Sequence, residues 1–183
     1  MGTTHLLAWA TAAVLLFWTV GAYNRLVRLR GAIMAAFALV EQQFRLRQDL
    51  LRELAQALSP VAATAGVAEP PGPAPTTQAL GAAITQADSA FSHARARPGA
   101  VGAITSLRLA EDIVAESRGR LPAAALAEPA LADLHTRLGQ VDSTLAFARR
   151  QFNDAVTLYN GAIRQFPTWL IAGVFSFRAA GTL

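Results

Sequence analysis

The sequence predicts an all-α protein: an N-terminal transmembrane helix followed by an antiparallel four-helix bundle with long first and last helices. Three observations lead there. Leu6 to Ala22 is a run of uncharged, mostly apolar residues. Beyond it, apolar residues recur at steps of three and four, the period of a helix with one buried face. Strand signals are weak: β-branched runs are missing, and the single Asn160-Gly161 pair falls inside a helical pattern. Of 183 residues, 53% are hydrophobic and only 15% charged, against about a quarter charged in soluble domains.

The elements follow in chain order. Residues 1–22 read as a membrane anchor. The seventeen residues from Leu6 to Ala22 are a short span, which Thr3, Thr4 and His5 extend. No Lys or Arg precedes the apolar run, so a cleaved signal peptide is not expected. Arg25, Arg28 and Arg30 follow it, which predicts an outside N-terminus and a cytoplasmic bundle at a bacterial inner membrane. Residues 23–167 read as the bundle. Its first helix carries Leu26, Leu29, Ile33, Phe37, Val40, Phe44, Leu51, Leu54 and Leu58 in a coiled-coil-like stripe, broken only at Arg47. With no proline before Pro60, anchor and first helix are expected to form one rod. Residues 59–77 contain five prolines and are expected to be a loop.

A second helix is expected from about Gln78 to Arg97, ended by Pro98-Gly99. A third runs from about Ala100 to Arg118, with Val101, Ile104, Leu107 and either Ile113 or Val114 inward. Gly119 to Pro129 is a second loop. The fourth helix is the clearest, with an unbroken stripe from Leu131 through Leu138, Leu145, Phe152 and Tyr159 to Phe166, stopped by Pro167. The first and fourth helices are each about 55 Å long and the middle two nearer 30 Å, so the long pair should lie side by side. Residues 168–183 form an apolar C-terminal tail, which either lies at the bilayer surface, with Trp169, Phe175 and Phe177 inward and Arg178 at the headgroups, or folds back over the end of the bundle.

Composition excludes several chemistries. There is no cysteine, so thiol nucleophiles, disulfides and cysteine-ligated metals are out. All 16 basic side chains are Arg, which removes Schiff-base and phosphate-loop lysines. His5, His93 and His135 lie far apart and offer no metal-binding spacing. Glu111, Asp112 and Glu116 read as a solvated helix face. No nucleophile elbow occurs. No enzymatic activity and no cofactor are expected. The net charge of +4 invites a nucleic-acid reading, but the arginines are interleaved with acids and lack flanking stacking aromatics, so no nucleic acid is expected.

Two blocks carry a resemblance. The first holds Tyr23-Asn24, Leu26-Val27, Gln43, Arg47, Asp49-Leu50 and Leu54; the second holds Ala148-Arg149, Phe152-Asn153, Val156, Tyr159-Asn160, Phe166-Pro167 and Ile171-Ala172. In this order behind an anchor, they resemble the two signature blocks of the LemA family. Arg52 stands where that family has proline, Leu46 replaces an Arg, Phe37 a Trp, and Asp142-Ser143 a Glu-Asn pair, so the resemblance is to a divergent member. It implies a membrane-anchored helical bundle and no particular reaction.

The function expected is an interaction or scaffold module on a single-pass anchor, in contact with the lipid bilayer and with other membrane proteins or copies of itself. The alternatives are an accessory subunit of a membrane protease or signalling system, and a small-ligand or lipid-binding bundle. Asn153 and Asn160, seven residues apart beside Tyr159, are expected to set register against a neighbouring helix, or alternatively to line a ligand groove. If the first and last helices are antiparallel neighbours, facing residue numbers should total about 188, from the matched ends Tyr23 with Phe166 and Leu58 with Pro129. That register predicts two ion pairs, Arg47–Asp142 and Glu41–Arg149.

Overall fold

The computed structural model describes residues 2–64, 76–121 and 129–183, which among the described residues are helices, short connections and a non-helical tail at residues 175–183. Five helices follow in order: α1 (Gly2–Thr64), α2 (Thr76–Ala96), α3 (Val101–Gly119), α4 (Pro129–Arg164) and α5 (Thr168–Val174). At 63 residues, α1 is about 95 Å long at 1.5 Å per residue.

The rod continues through Arg52, where the family's proline is missing, and through Pro60 to Thr64. The expected 59–77 loop is thus helical at both margins, since Thr76 and Thr77 belong to α2; residues 65–75 lie outside the described ones. Pro60 lacks an N–H and so forgoes the bond to the Gln56 carbonyl. Ala62 and Ala63 are strong helix formers, and the turn persists despite that loss. Most of the second expected loop, residues 122–128, is likewise outside the described residues.

The stripe on α1 is the core: Leu26, Ile33, Phe37, Val40, Phe44, Leu51, Leu54 and Leu58 are buried. It packs along α4, whose Leu138, Leu145, Phe152, Val156 and Ala162 are buried in turn. The two helices are antiparallel. Arg25 meets Gln165, Phe37 meets Phe152 and Arg47 meets Asp142, so facing numbers total 189 or 190. The fourth-helix stripe ends sooner than its spacing suggests. Phe166 lies beyond α4 and is 76% exposed, because the chain turns at Phe166–Pro167, a cis bond, to start α5.

Helices α2 and α3 pack on each other, and α2 docks on α1. Phe91 makes that joint: its ring stacks on Phe44 at 4.2 Å and on Phe37 at 5.6 Å, while Phe37 meets Phe152 edge-on at 5.7 Å. Each such pair adds about 0.5–1.5 kcal/mol beyond simple burial. On α3, Ile104, Leu107 and Val114 face inward, whereas Val101 is exposed because it opens the helix beside the Arg97–Ala100 turn. The α2–α3 turn sits at the level of Ile33, since a Cβ on Gly99 would meet Ile33 Cγ2 at 3.5 Å. Below it, toward Tyr23, the long pair is covered by the tail: α5 buries Thr168, Ile171 and Ala172 against α1 and α4.

The apolar first part of α1 has no cover. Leu6, Leu7, Trp9, Val14, Leu15, Leu16 and Phe17 are exposed, and this is the one described helix long and apolar enough to cross a membrane.

Candidate functional site

Two polar constellations stand out against the apolar core. The first fills the break in the α1 stripe. Arg47 occupies a core position and is only 6% exposed, and an unpaired charge there would be strongly destabilising. It finds two carboxylates. Its Nη1 donates to Glu111 Oε1 of α3 at 3.1 Å, and its Nε lies 3.2 Å from Asp142 Oδ1 of α4. Asp142 also accepts from Arg118 Nη1 at 2.7 Å, and Glu111 is paired with Arg149. Three guanidinium groups and two carboxylates thus join α1, α3 and α4 at one level. Burial pulls the Arg47 pKa below its ordinary value, and Glu111 followed by Asp142 counters that effect. At the next residue, Gln48 Oε1 is buried without a hydrogen-bond partner among the described residues.

The Arg47–Asp142 pair stands at the expected register. Glu41–Arg149 does not form. Arg149 turns to Glu111, and Glu41 is taken by Arg45 on its own helix and by Arg95 of α2 at 3.0 Å. Glu111 corrects the sequence reading: it is buried, while its neighbours Asp112 and Glu116 are solvated. The missed signal was its spacing, four residues after Leu107 and three before Val114, which places it on the inward face of α3.

The second constellation holds the tail. Beyond α5 the chain turns at Phe175 and Ser176, the latter at φ 55°, and runs without helix through Arg178 to Leu183. Asn160 grips Ala180 twice: its Nδ2 donates to the Ala180 carbonyl and its Oδ1 accepts from the Ala180 N–H, both at 2.9 Å. Asn153 does the same to Leu183, both bonds at 2.8 Å. Tyr159 Oη donates to the Arg178 carbonyl at 2.9 Å. On the far side, the Gly181 N–H donates to the Gly99 carbonyl at 2.9 Å. Gly99 has φ +89° and faces Ala180, so both the turn and the closeness of the tail favour glycine there. Burial raises the Tyr159 pKa, with Arg30 acting in the opposite direction.

The two asparagines therefore do not set register against a helix. The groove they line is filled by the chain's own residues 178–183, whose backbone supplies the partners. Tyr23 packs against Phe175 at 5.0 Å and Phe177 at 6.0 Å, tying α1 to the same tail, and Asn24 is exposed beside it. Asp49 is a surface residue paired with Arg52 at 2.7 Å. Phe166 and Pro167 form the α4–α5 corner, with Phe166 at 6.2 Å from Trp18. His5, His93 and His135 are all exposed.

The model of the LemA family matches residues 81–183. No curated protein matches the chain. The matched residues span more than half of the chain. They include Glu111, Asp142, Arg149 and the Asn153–Tyr159–Asn160 grip with the tail it holds, whereas the Tyr23–Leu54 block precedes them. On that match, the chain belongs to the LemA family.

Proposed function

We propose that this protein is a membrane-anchored interaction module: the first part of α1 crosses a bilayer once, and the bundle stands on the cytoplasmic face as a scaffold for other membrane proteins or further copies of itself. The observation that carries the proposal is the continuity of α1. One helix passes from an apolar segment exposed on every side into the centre of a packed bundle. In water that exposed segment would be a severe liability, and in hydrocarbon it is the favoured state. Arg25, Arg28 and Arg30 follow it directly, which supports the cytoplasmic side for the bundle.

The foot of the bundle supports the same reading. Helix α5 buries one face on α1 and α4 and turns the other outward, exposing Trp169, Leu170 and Val174 next to Phe166. Of these, Phe166 lies 6.2 Å from Trp18, at the end of the apolar run. An outward apolar face rich in aromatics at that height suits the bilayer interface. The tail folds back on the bundle, and on this reading the outward face of α5 offers an apolar edge to lipid.

Trp169 fluorescence tests this, in a chain with Trp9 and Trp18 replaced by Phe and reconstituted into vesicles. Quenchers carried near the lipid headgroups should reduce the emission. Emission insensitive to lipid-borne quenchers but sensitive to aqueous iodide would contradict the placement.

A further inference from the structure

The grip on residues 178–183 has the form of a peptide-binding slot. Seven residues along α4 separate Asn153 from Asn160, about 10.5 Å at 1.5 Å per residue. Three residues separate Leu183 from Ala180, and an extended chain covers about 10 Å over that stretch at 3.3 Å per residue. The two repeats match, so each amide meets the N–H and C=O of one residue, as a neighbouring strand would. All these bonds, with those from Tyr159 and to Gly99, are made to backbone. The slot therefore reads an extended chain, whichever molecule supplies it.

One position is read by size. A Cβ on Gly181 would meet Val101 Cα at 3.0 Å and Ile104 Cβ at 3.4 Å, and Val101 Cα is backbone that cannot swing away. Any side chain there presses on the α3 backbone, so the slot favours glycine one residue after the residue held by Asn160 and disfavours larger residues increasingly with size. The flanking Ala180 and Thr182 are small, and the segment is held by these hydrogen bonds together with partial burial of Ala180 and Leu183 against the core. It is also joined to the bundle through a turn at Ser176, outside any helix.

We propose that this slot exchanges its occupant: residues 178–183 of one copy seat in the slot of a second copy, linking bundles through tails that carry the Ala-Gly pair. The second copy is the occupant of choice because its tail meets both requirements of the slot, the backbone spacing and the glycine. Exchange gives up and re-forms the same bonds, so it needs no new interface. Tethering copies in one plane would raise their mutual concentration and favour it. The inference goes beyond the membrane reading and is testable in detergent without it.

The test pairs two full-length variants carrying different affinity tags. Asn153→Ala/Asn160→Ala loses the slot and keeps the tail. Gly181→Val keeps the slot and loses a tail that fits. Copurification of the two together should exceed that of either with itself several-fold, because the intact tail of the first enters the intact slot of the second. Equal recovery in all three combinations would overturn the proposal. A second measurement guards against misfolding. A fluorescent peptide spanning residues 175–183 should bind the Gly181→Val chain and not the double-Asn variant, with both showing cooperative helical unfolding. Peptide bound equally by both, or by neither, would overturn the proposal, as would peptide binding by Gly181→Val without heteromer formation.

Discussion

Glu111 sits between Arg47 and Arg149 in the core, and its charge is what makes an arginine tolerable at a stripe position of α1. Glu111→Gln leaves Arg47 with Asp142 alone, and should lower stability by about 3 kcal/mol, the scale for removing one partner of a buried ion pair. Replacing Arg47 and Glu111 together by Met should cost less than the separate losses added, with coupling of about 1–3 kcal/mol. Denaturant unfolding in a mild detergent, followed by far-ultraviolet circular dichroism, reads both. At Tyr159 the sign concerns alkali. Its folded pKa is raised by burial above the ordinary 10.0, so the phenol holds its proton longer in the folded chain. The stability this contributes is complete below pH 10 and is lost as pH rises through the raised value. The chain has two tyrosines, so a Tyr23→Phe chain reports on Tyr159 alone; its ultraviolet titration midpoint should lie above 10. A midpoint at or below that value would contradict the buried, donating phenol.

At the scale of elements, Phe91 is the joint between the α1–α4 pair and the α2–α3 pair. Phe91→Ala removes both stacked contacts and opens a cavity beside Phe44 and Phe37. It should cost about 3–5 kcal/mol, read from the unfolding midpoint. The tail is a different kind of element, held by side-chain amides. Asn153→Ala or Asn160→Ala should each cost about 1–2 kcal/mol and release the Leu183 or Ala180 amide, respectively, to hydrogen exchange, leaving core amides of α1 protected. These contrasts explain what was legible beforehand. Helices α2 to α4 could be read because each carries an apolar stripe, and Arg47–Asp142 because a charge in a stripe demands a partner on the facing helix. The helical turn beyond Pro60 was hidden by its proline. The tail was hidden because Arg178 to Leu183 has no apolar period, and its partners lie 19 to 30 residues back on α4. Glu111 was masked by two acidic neighbours that are solvated.

For the whole molecule, the proposed membrane placement rests on the exposed apolar part of α1, the three arginines after it and the outward face of α5. The absence of cysteine makes single-cysteine variants clean reporters of that arrangement. The decisive measurement is labelling by a membrane-impermeant maleimide in right-side-out vesicles, at Gly2→Cys, Val14→Cys and the exposed Leu158→Cys. A bilayer crossed by Leu6 to Ala22 with the bundle inside requires label at position 2 in sealed vesicles, label at position 158 only after the vesicles are opened, and none at position 14 in either state. Label at position 158 in sealed vesicles would reverse the orientation, and ready label at position 14 would contradict the membrane span itself.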